Sequence, residues 1–320
     1  MPAFLLFLKS LLHRIAAPQP NTEHCKLKTA AMLSELQRER LLIRRIAAQP
    51  HAAATIRAFQ RFVLAYYRAH KRPLPWRRTR DPYHIVVAEI MLQQTQVTRV
   101  AEKYPMFIAA FPSFAALARA SLRDVLQLWH GMGYNRRALA LQRLAQAVLT
   151  EHKGHLPRTP AQLQRLPGIG RATAASIAAF AFNQPTVFIE TNIRTVFIHY
   201  FFPRRHAVHD AELLPLVEAT LDRTNPRRWY NALMDLGTWL KARGFSKNSR
   251  SATHRPQPTF AGSMRELRGK IIALLTAGPA RSAAQLARQL DVVPPRLSAC
   301  LEQLCAEGFL RHRAGRYALA

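Results

Sequence analysis

The 320-residue chain carries 47 Lys+Arg against 18 Asp+Glu, a formal charge of +29. Its 49% hydrophobic content supports one large or two to three small domains with real cores. The basic surplus points to a polyanionic partner, nucleic acid before an anionic membrane surface, and three cysteines exclude a disulfide framework and a four-thiolate metal site.

The first stretch, MPAFLLFLKSLLHRIAAPQP, is too short and too interrupted by Lys9, His13 and Arg14 to span a membrane. It lacks the basic start and the cleavage site of a signal peptide, and Met32 opens a cleaner helical sequence. Residues 1–50 are therefore expected to form a poorly ordered extension. Helical periodicity takes over from about residue 53. The segment 57–69 places Phe59, Val63 and Tyr66/Tyr67 at helical spacing, and the basic, proline-broken 71–83 reads as a loop. A second helix is predicted over about 84–99. It puts Glu89 on the face of Ile85, Leu92, Gln93 and Gln96. Further helices are predicted at about 101–110, 113–119, 121–129, 135–152 and 160–166. LPGIGRATAASIAAFAF (166–182) then offers two glycines followed by a helix of small residues, and helices near 213–221 and 229–240 complete the body.

Residues 246–263 read as a basic linker. The tail 264–320 has its own pattern. A first helix carries Leu267, Ile271, Leu274 and Leu275, and Ser282 with Gln285 has capping-box spacing for a second. Pro294 and Pro295 open a third, in which Cys300 and Cys305 pack with Leu297, Leu301 and Leu304. A basic hairpin turning at Gly315 follows. Three helices and a hairpin is the winged-helix layout.

Two features carry chemistry. In LPGIG the glycines permit a tight turn and bare the backbone, so amides at the next helix's N-terminus can hold a phosphate, with Arg171 adding charge. Glu89 and Glu190 are acids set in apolar runs of a basic chain, the second followed by Asn192 and Arg194. A carboxyl in such a setting is either a paired structural group or a proton donor with a raised pKa.

LPWRRTRDPYHIVVAEIMLQQTQV, GMGYNRRAL, LPGIGRATAASIAAFAF, ETNIRTV and NALMDLG occur in this order. Over about residues 53–240 the chain resembles the helix–hairpin–helix DNA glycosylases of the endonuclease III superfamily, and within it the MutY-type adenine glycosylases. The resemblance implies an all-α fold of two helical lobes (51–245, with 81–187 as the barrel lobe) and an active site in the cleft between them, followed by the winged-helix-like tail. It makes Glu89 the proton donor to the purine, Glu190 the stabiliser of the sugar cation and Asn192 its orienting partner. Trp76, Arg77 and Asp235 line the base pocket. Gln93, Gln94 and Thr95 fill the gap of the flipped base, Met132 and Tyr134 form a wedge from the other side, and Gly168, Gly170 and Arg171 grip the backbone.

Four departures qualify this. Ala172 stands where bifunctional relatives carry a lysine, so a monofunctional glycosylase is expected. Glu190 replaces the usual Asp, moving the carboxylate by a methylene. Residues 238–260 hold none of the cysteines of the family's iron–sulfur cluster, so no cofactor or metal is expected, and Lys241, Arg243, Lys247 and Arg250 are expected to contact DNA from a basic loop instead. The Nudix-like domain that reads 8-oxoguanine has no counterpart, its place being taken by the tail. The expected protein is a monomeric, cytoplasmic, nucleoid-associated enzyme of base excision repair that removes adenine from mismatched or oxidised double-stranded DNA, with no membrane partner. Alternatives are a glycosylase for deaminated or alkylated purine and a non-catalytic DNA-binding protein.

Overall fold

The computed structural model describes residues 23–245, 250–253 and 257–320, the side chains of 23–35 excepted. Residues 1–22 of the expected extension, and 246–249 and 254–256 of the expected linker 246–263, lie outside the described residues. Glu23–Ala48 is a helix, α1. The chain forms two compact units, Met1–Phe62 and Val63–Ala320. Helix α2, Ala53–His70, begins in the first and ends in the second.

From Val63 onward the second unit is mostly helical. A single 3-10 turn, Pro75–Arg77, interrupts the proline-rich loop. Helix α3 is Pro82–Leu92. It opens on Asp81, whose side chain accepts from the Tyr83 amide, with Pro82 at the first position where a missing N–H costs nothing. Tyr83, Ile85–Ala88, Ile90 and Met91 are all buried, so α3 is packed around nearly its whole girth, as a central helix must be. The single long helix predicted over 84–99 is not what forms. The chain breaks at 93–96, with Gln94 in the left-handed region at φ 53°, and resumes as α4, Val97–Ala110.

The break has a physical cause in Arg137. This buried guanidinium donates through one nitrogen to the carbonyls of Ile90 (3.0 Å), Met91 (2.9 Å) and Gln93. Through the other it donates to Thr95 Oγ1 (2.9 Å) and the carbonyls of Met132 (3.1 Å) and Gly133 (3.2 Å). It thus satisfies the last carbonyls of α3 and fastens the 131–135 loop to it. Burial lowers the Arg137 pKa to about 10, which leaves it charged at neutral pH.

Helices α5 (Phe114–Arg119), α6 (Leu122–Trp129), α7 (Arg136–His152) and α8 (Pro160–Leu163) follow. The hairpin turns at Gly168, φ 78°, where a Cβ would lie 2.9 Å from that of Ala140, so only glycine fits. Gly170 then caps α9, Arg171–Phe182. Its run of small residues lets it pack directly on α3, which brings Ser176 beside Glu89. An extended stretch leads to α10 (Thr191–Phe201), then α11 (Asp210–Thr220) and α12 (Pro226–Ala242).

The tail contains α13 (Met264–Ala277), α14 (Ala283–Leu290) and α15 (Pro294–Ala306). The Ser282–Gln285 capping box forms as expected. The hairpin strands β2 (Leu310–Arg313) and β3 (Arg316–Leu319) are joined by a two-residue strand the sequence did not suggest, β1 (Arg281–Ser282), in the antiparallel order β1-β3-β2. Cys300 is wholly buried on α15, in line with its expected packing role. The tail docks on the α6–α7 region. Glu307 takes ion pairs from Arg136 and Arg268, Arg143 donates to the Glu307 carbonyl at 2.8 Å, and Arg265 donates to the Tyr134 hydroxyl at 2.9 Å. No helix among the described residues is long and apolar enough to cross a membrane.

Candidate active site

One cavity of about 520 Å³ opens between α3, α9, the start of α10 and the proline-rich loop. Trp76, Arg77, Glu89, Gln93, Gln94, Thr95, Glu190 and Asn192 all line it. The structure therefore brings together residues spread over more than a hundred positions of sequence. Ala172 also lines it.

Glu89 sits one turn before the end of α3, facing the cavity but walled by protein. Desolvation is the main cause that raises its pKa from 4.5 to about 7; the Ser176 hydrogen bond opposes this and the negative charge of Glu190 adds to it. Ser176 Oγ lies 2.6 Å from Glu89 Oε2 and 3.0 Å from the Thr173 carbonyl. A hydroxyl has one hydrogen to give. When Glu89 is ionised, Ser176 donates to it. When Glu89 is protonated, the carboxyl donates to Ser176, whose hydrogen turns to Thr173. The same three atoms thus accommodate both protonation states.

Glu190 is held by four hydrogen-bond donors. As N-cap of α10 its Oε1 accepts from the amides of Asn192 (2.8 Å) and Ile193 (2.9 Å). Its Oε2 accepts from Asn192 Nδ2 (3.1 Å) and Thr191 Oγ1 (3.2 Å). Asn192 is held in turn, because Lys241 Nζ donates to its Oδ1 at 2.7 Å. Lys241 is thus an inward-turned residue of α12 and no part of the expected DNA-contacting loop. Burial lowers its pKa, against the attraction of Glu190. Of the other residues expected in that loop, Arg243 stacks on Trp239, Arg250 donates to the Pro203 carbonyl, and Lys247 lies outside the described residues.

The close approach of α12 to α10 depends on Gly237. A Cβ there would lie 2.5 Å from the Asn192 carbonyl oxygen and 2.6 Å from the Asn192 Cβ. Gly237→Ala is expected to destabilise the fold by about 1–3 kcal/mol and to slow catalysis by about 100-fold through displacement of the Glu190–Asn192 pair. Thermal melts and single-turnover rates check this; a wild-type rate would mean that this contact does not position Glu190.

Asp235 does not line the cavity. It is buried one layer behind, where Oδ1 and Oδ2 take Arg72 Nε (2.5 Å) and the two terminal nitrogens of Arg77 (2.7 and 2.9 Å). Its role is to hold Arg77 at the wall. Met132 is also misplaced by sequence reading. It is 2% exposed and packed inside, so it presents no wedge; Tyr134, half-buried on the same loop at φ 47°, lies between the guanidinium groups of Arg137 and Arg265. Gly168, Gly170 and Arg171 form the hairpin at the cavity's edge, tied to it by Gln93 Nε2, which donates to Thr173 Oγ1 at 3.3 Å. The sequence reading missed Ser176, Arg137, Arg72 and the inward role of Lys241. Arg137 left a signal, since it occupies the apolar stripe of α7 that continues through Leu141, Leu144 and Val148. Ser176 left none in a run of small residues.

Residues 87–214 match the HhH-GPD superfamily base excision DNA repair protein family. An adenine DNA glycosylase of Mycolicibacterium smegmatis is 33% identical over 287 residues, spanning 81% of this chain and 94% of that protein. The chain belongs to the adenine DNA glycosylase family. The adenine DNA glycosylases of Rattus norvegicus and Homo sapiens are 38% and 39% identical over 58% of this chain. The chain spans little more than a third of their length, 38% and 36%. A solved thermostable thymine-DNA glycosylase superposes with a TM-score of 0.53 at 28% identity, covering 57% of this chain and 85% of that one. The iron–sulfur cluster implied by the family resemblance does not fit the donors in this family member. The chain has three cysteines with none in 238–260, and Cys300 and Cys305 lie in the tail helix α15.

Proposed function

We propose that the protein is a monofunctional adenine DNA glycosylase of base excision repair, acting as a monomer on double-stranded DNA without a metal or cofactor, in the cytoplasm beside the chromosome. One observation carries the reading. A single cavity holds a carboxyl with a pKa of about 7 and a second carboxylate clamped by two backbone amides. The environments of the two acids are set apart, which is how acid and anion roles are divided between like groups.

The chemistry follows from that division. A base stacked in a duplex is out of reach, so adenine is flipped into the cavity. Glu89 gives its proton to N7, and the N-glycosidic electron pair leaves with a neutral base. The sugar becomes cationic, and Glu190 stabilises that charge as a fixed anion. Water adds to C1′, and its proton returns to Glu89. Gln93, Gln94 and Thr95 occupy the vacated space, Tyr134 wedges from the other side, and the Gly168–Arg171 hairpin holds the backbone. Ala172 offers no amine for a Schiff base, so the abasic strand is left intact.

The test is incubation of the purified protein with duplexes carrying A·8-oxoG, A·G, hypoxanthine or an alkylated purine, followed by alkali. An alkali-dependent break at the adenine, and none without alkali, is the expected result. Breaks at hypoxanthine or alkylpurine alone would shift the substrate to deaminated or alkylated purine, and no product from any duplex would leave a non-catalytic DNA-binding protein.

A further inference from the structure

A second cavity of about 460 Å³ lies against the first and shares Arg77, Arg227 and Asn231 with it. Four guanidinium groups line it, those of Arg77, Arg80, Arg227 and Arg228, and no carboxylate does. Their existing partners leave an excess of positive charge. Arg77 shares the one carboxylate of Asp235 with Arg72, and Arg228 pairs with Asp222 at 2.9 Å. Arg227 reaches only a neutral partner, the Ala181 carbonyl at 2.9 Å, and Arg80 has no hydrogen bond or ion pair among the described residues. Arg77 Nε and Arg227 Nε are buried without a hydrogen-bond partner. The Arg77 side chain is only 9% exposed, so this donor is shielded from water on the wall common to both cavities. Burial, and then the like charge of Arg80, push the Arg227 pKa down.

Unpaired like charges converging on a concave, partly desolvated site are unfavourable until an anion neutralises them. Guanidinium forks match phosphate oxygens two by two, and buried N–H groups without acceptors supply the remaining donors. We propose that this second cavity is a phosphate-binding site, in which Arg80, Arg227 and Arg228 hold the phosphate group and Arg77 links it to the base cavity. Two sources share this chemistry: a phosphodiester of DNA bound in the adjoining cleft, and free phosphate. The DNA source rests on the glycosylase reading; the free-phosphate source does not.

The experiment uses the full chain with Arg80→Gln, an exposed position without a hydrogen bond or ion pair among the described residues, and Arg288→Gln on the tail as control. In the first arm, inorganic phosphate is compared with sodium chloride at equal ionic strength. A phosphate-specific rise in melting temperature of about 3 °C, lost in Arg80→Gln and kept in Arg288→Gln, identifies free phosphate. In the second arm, binding to an A·8-oxoG duplex is measured against salt in a Glu89→Gln background. A fall of about one in the slope of log K against log salt, in Arg80→Gln alone, identifies the phosphodiester. Either result supports the site. The proposal is overturned if neither effect appears, or if Arg288→Gln reproduces them equally. Failure of the glycosylase reading shows separately, as absence of alkali-labile product, and leaves the first arm intact. Arg228→Gln repeats both arms from the other wall.

Discussion

Glu89→Gln is expected to slow adenine release by about 1,000-fold, within the range of a lost general acid, while duplex binding stays within a few-fold of wild type. Gln can neither give a proton to N7 nor take one back, but it keeps the shape of Glu and still accepts from Ser176. The wild-type rate should be flat below pH 7 and fall about tenfold per unit above it, because only protonated Glu89 is active and its pKa is about 7. Single-turnover rates from pH 5 to 9 measure both. A Glu89→Gln enzyme of undiminished rate would remove Glu89 from the chemistry.

The same group makes a stability prediction of opposite sign to its use in catalysis. Glu89 holds its proton in the fold up to about pH 7, whereas it titrates near 4.5 when unfolded. Below pH 4.5 both states are protonated and the group contributes nothing. Between the two values the unfolded state loses its proton and gains hydration that the folded state is denied. Stability therefore drains away as pH rises, by about 3 kcal/mol in total. Glu89→Gln removes that cost. The variant should melt together with wild type at pH 4.5 and about 5 °C above it at pH 8. An inactive variant that is more stable only at high pH is the mark of an acid kept in a place that suits its reactivity at the expense of the fold.

Much of this site could be read from the sequence because its parts have local causes. The Ser282–Gln285 box, the glycine turn at 168–170 and the apolar surroundings of Glu89 and Glu190 are all consequences of neighbouring residues. The features that escaped are those decided from a distance. EIMLQQTQV has helical periodicity and, in Glu89, Met91, Leu92 and its three glutamines, mostly good helix formers, so local propensity favours one helix to residue 99. Arg137, some forty residues later, captures the carbonyls at its middle and ends the helix there. The same tertiary decision turns Gln93 toward the Gly168–Thr173 hairpin and leaves Met132 buried. The family resemblance places Asp235 in the pocket but does not show its partners; two arginines from the 72–77 loop take up its oxygens. Lys241 lies at the end of a basic-looking helix, and only the α10–α12 contact through Gly237 turns it toward Asn192.

Glu190→Gln is expected to lose about 100- to 1,000-fold in rate and, unlike Glu89→Gln, to lose stability as well. Every oxygen of Glu190 accepts: Oε1 from two backbone amides, Oε2 from Asn192 Nδ2 and Thr191 Oγ1. An amide must place an NH₂ where one oxygen stood. At the Oε1 position it would face two backbone donors; at the Oε2 position it would face the Asn192 NH₂. Asn192 cannot turn over to relieve this, since its carbonyl oxygen is held by Lys241. A donor set against a donor in a half-buried site costs about 1–3 kcal/mol. Glu190→Asp keeps the charge with one methylene fewer, so it should retain the stability of an acidic N-cap and show a rate between wild type and Gln. There is a further signature in the pH profile. The charge of Glu190 helps to raise the Glu89 pKa, so in Glu190→Gln the residual rate should begin to fall at lower pH than in wild type, whereas in Glu190→Asp the midpoint should stay nearly in place. A midpoint that does not move in Glu190→Gln would mean that the two carboxylates act without feeling one another, and the division of acid and anion roles between them would have to be abandoned.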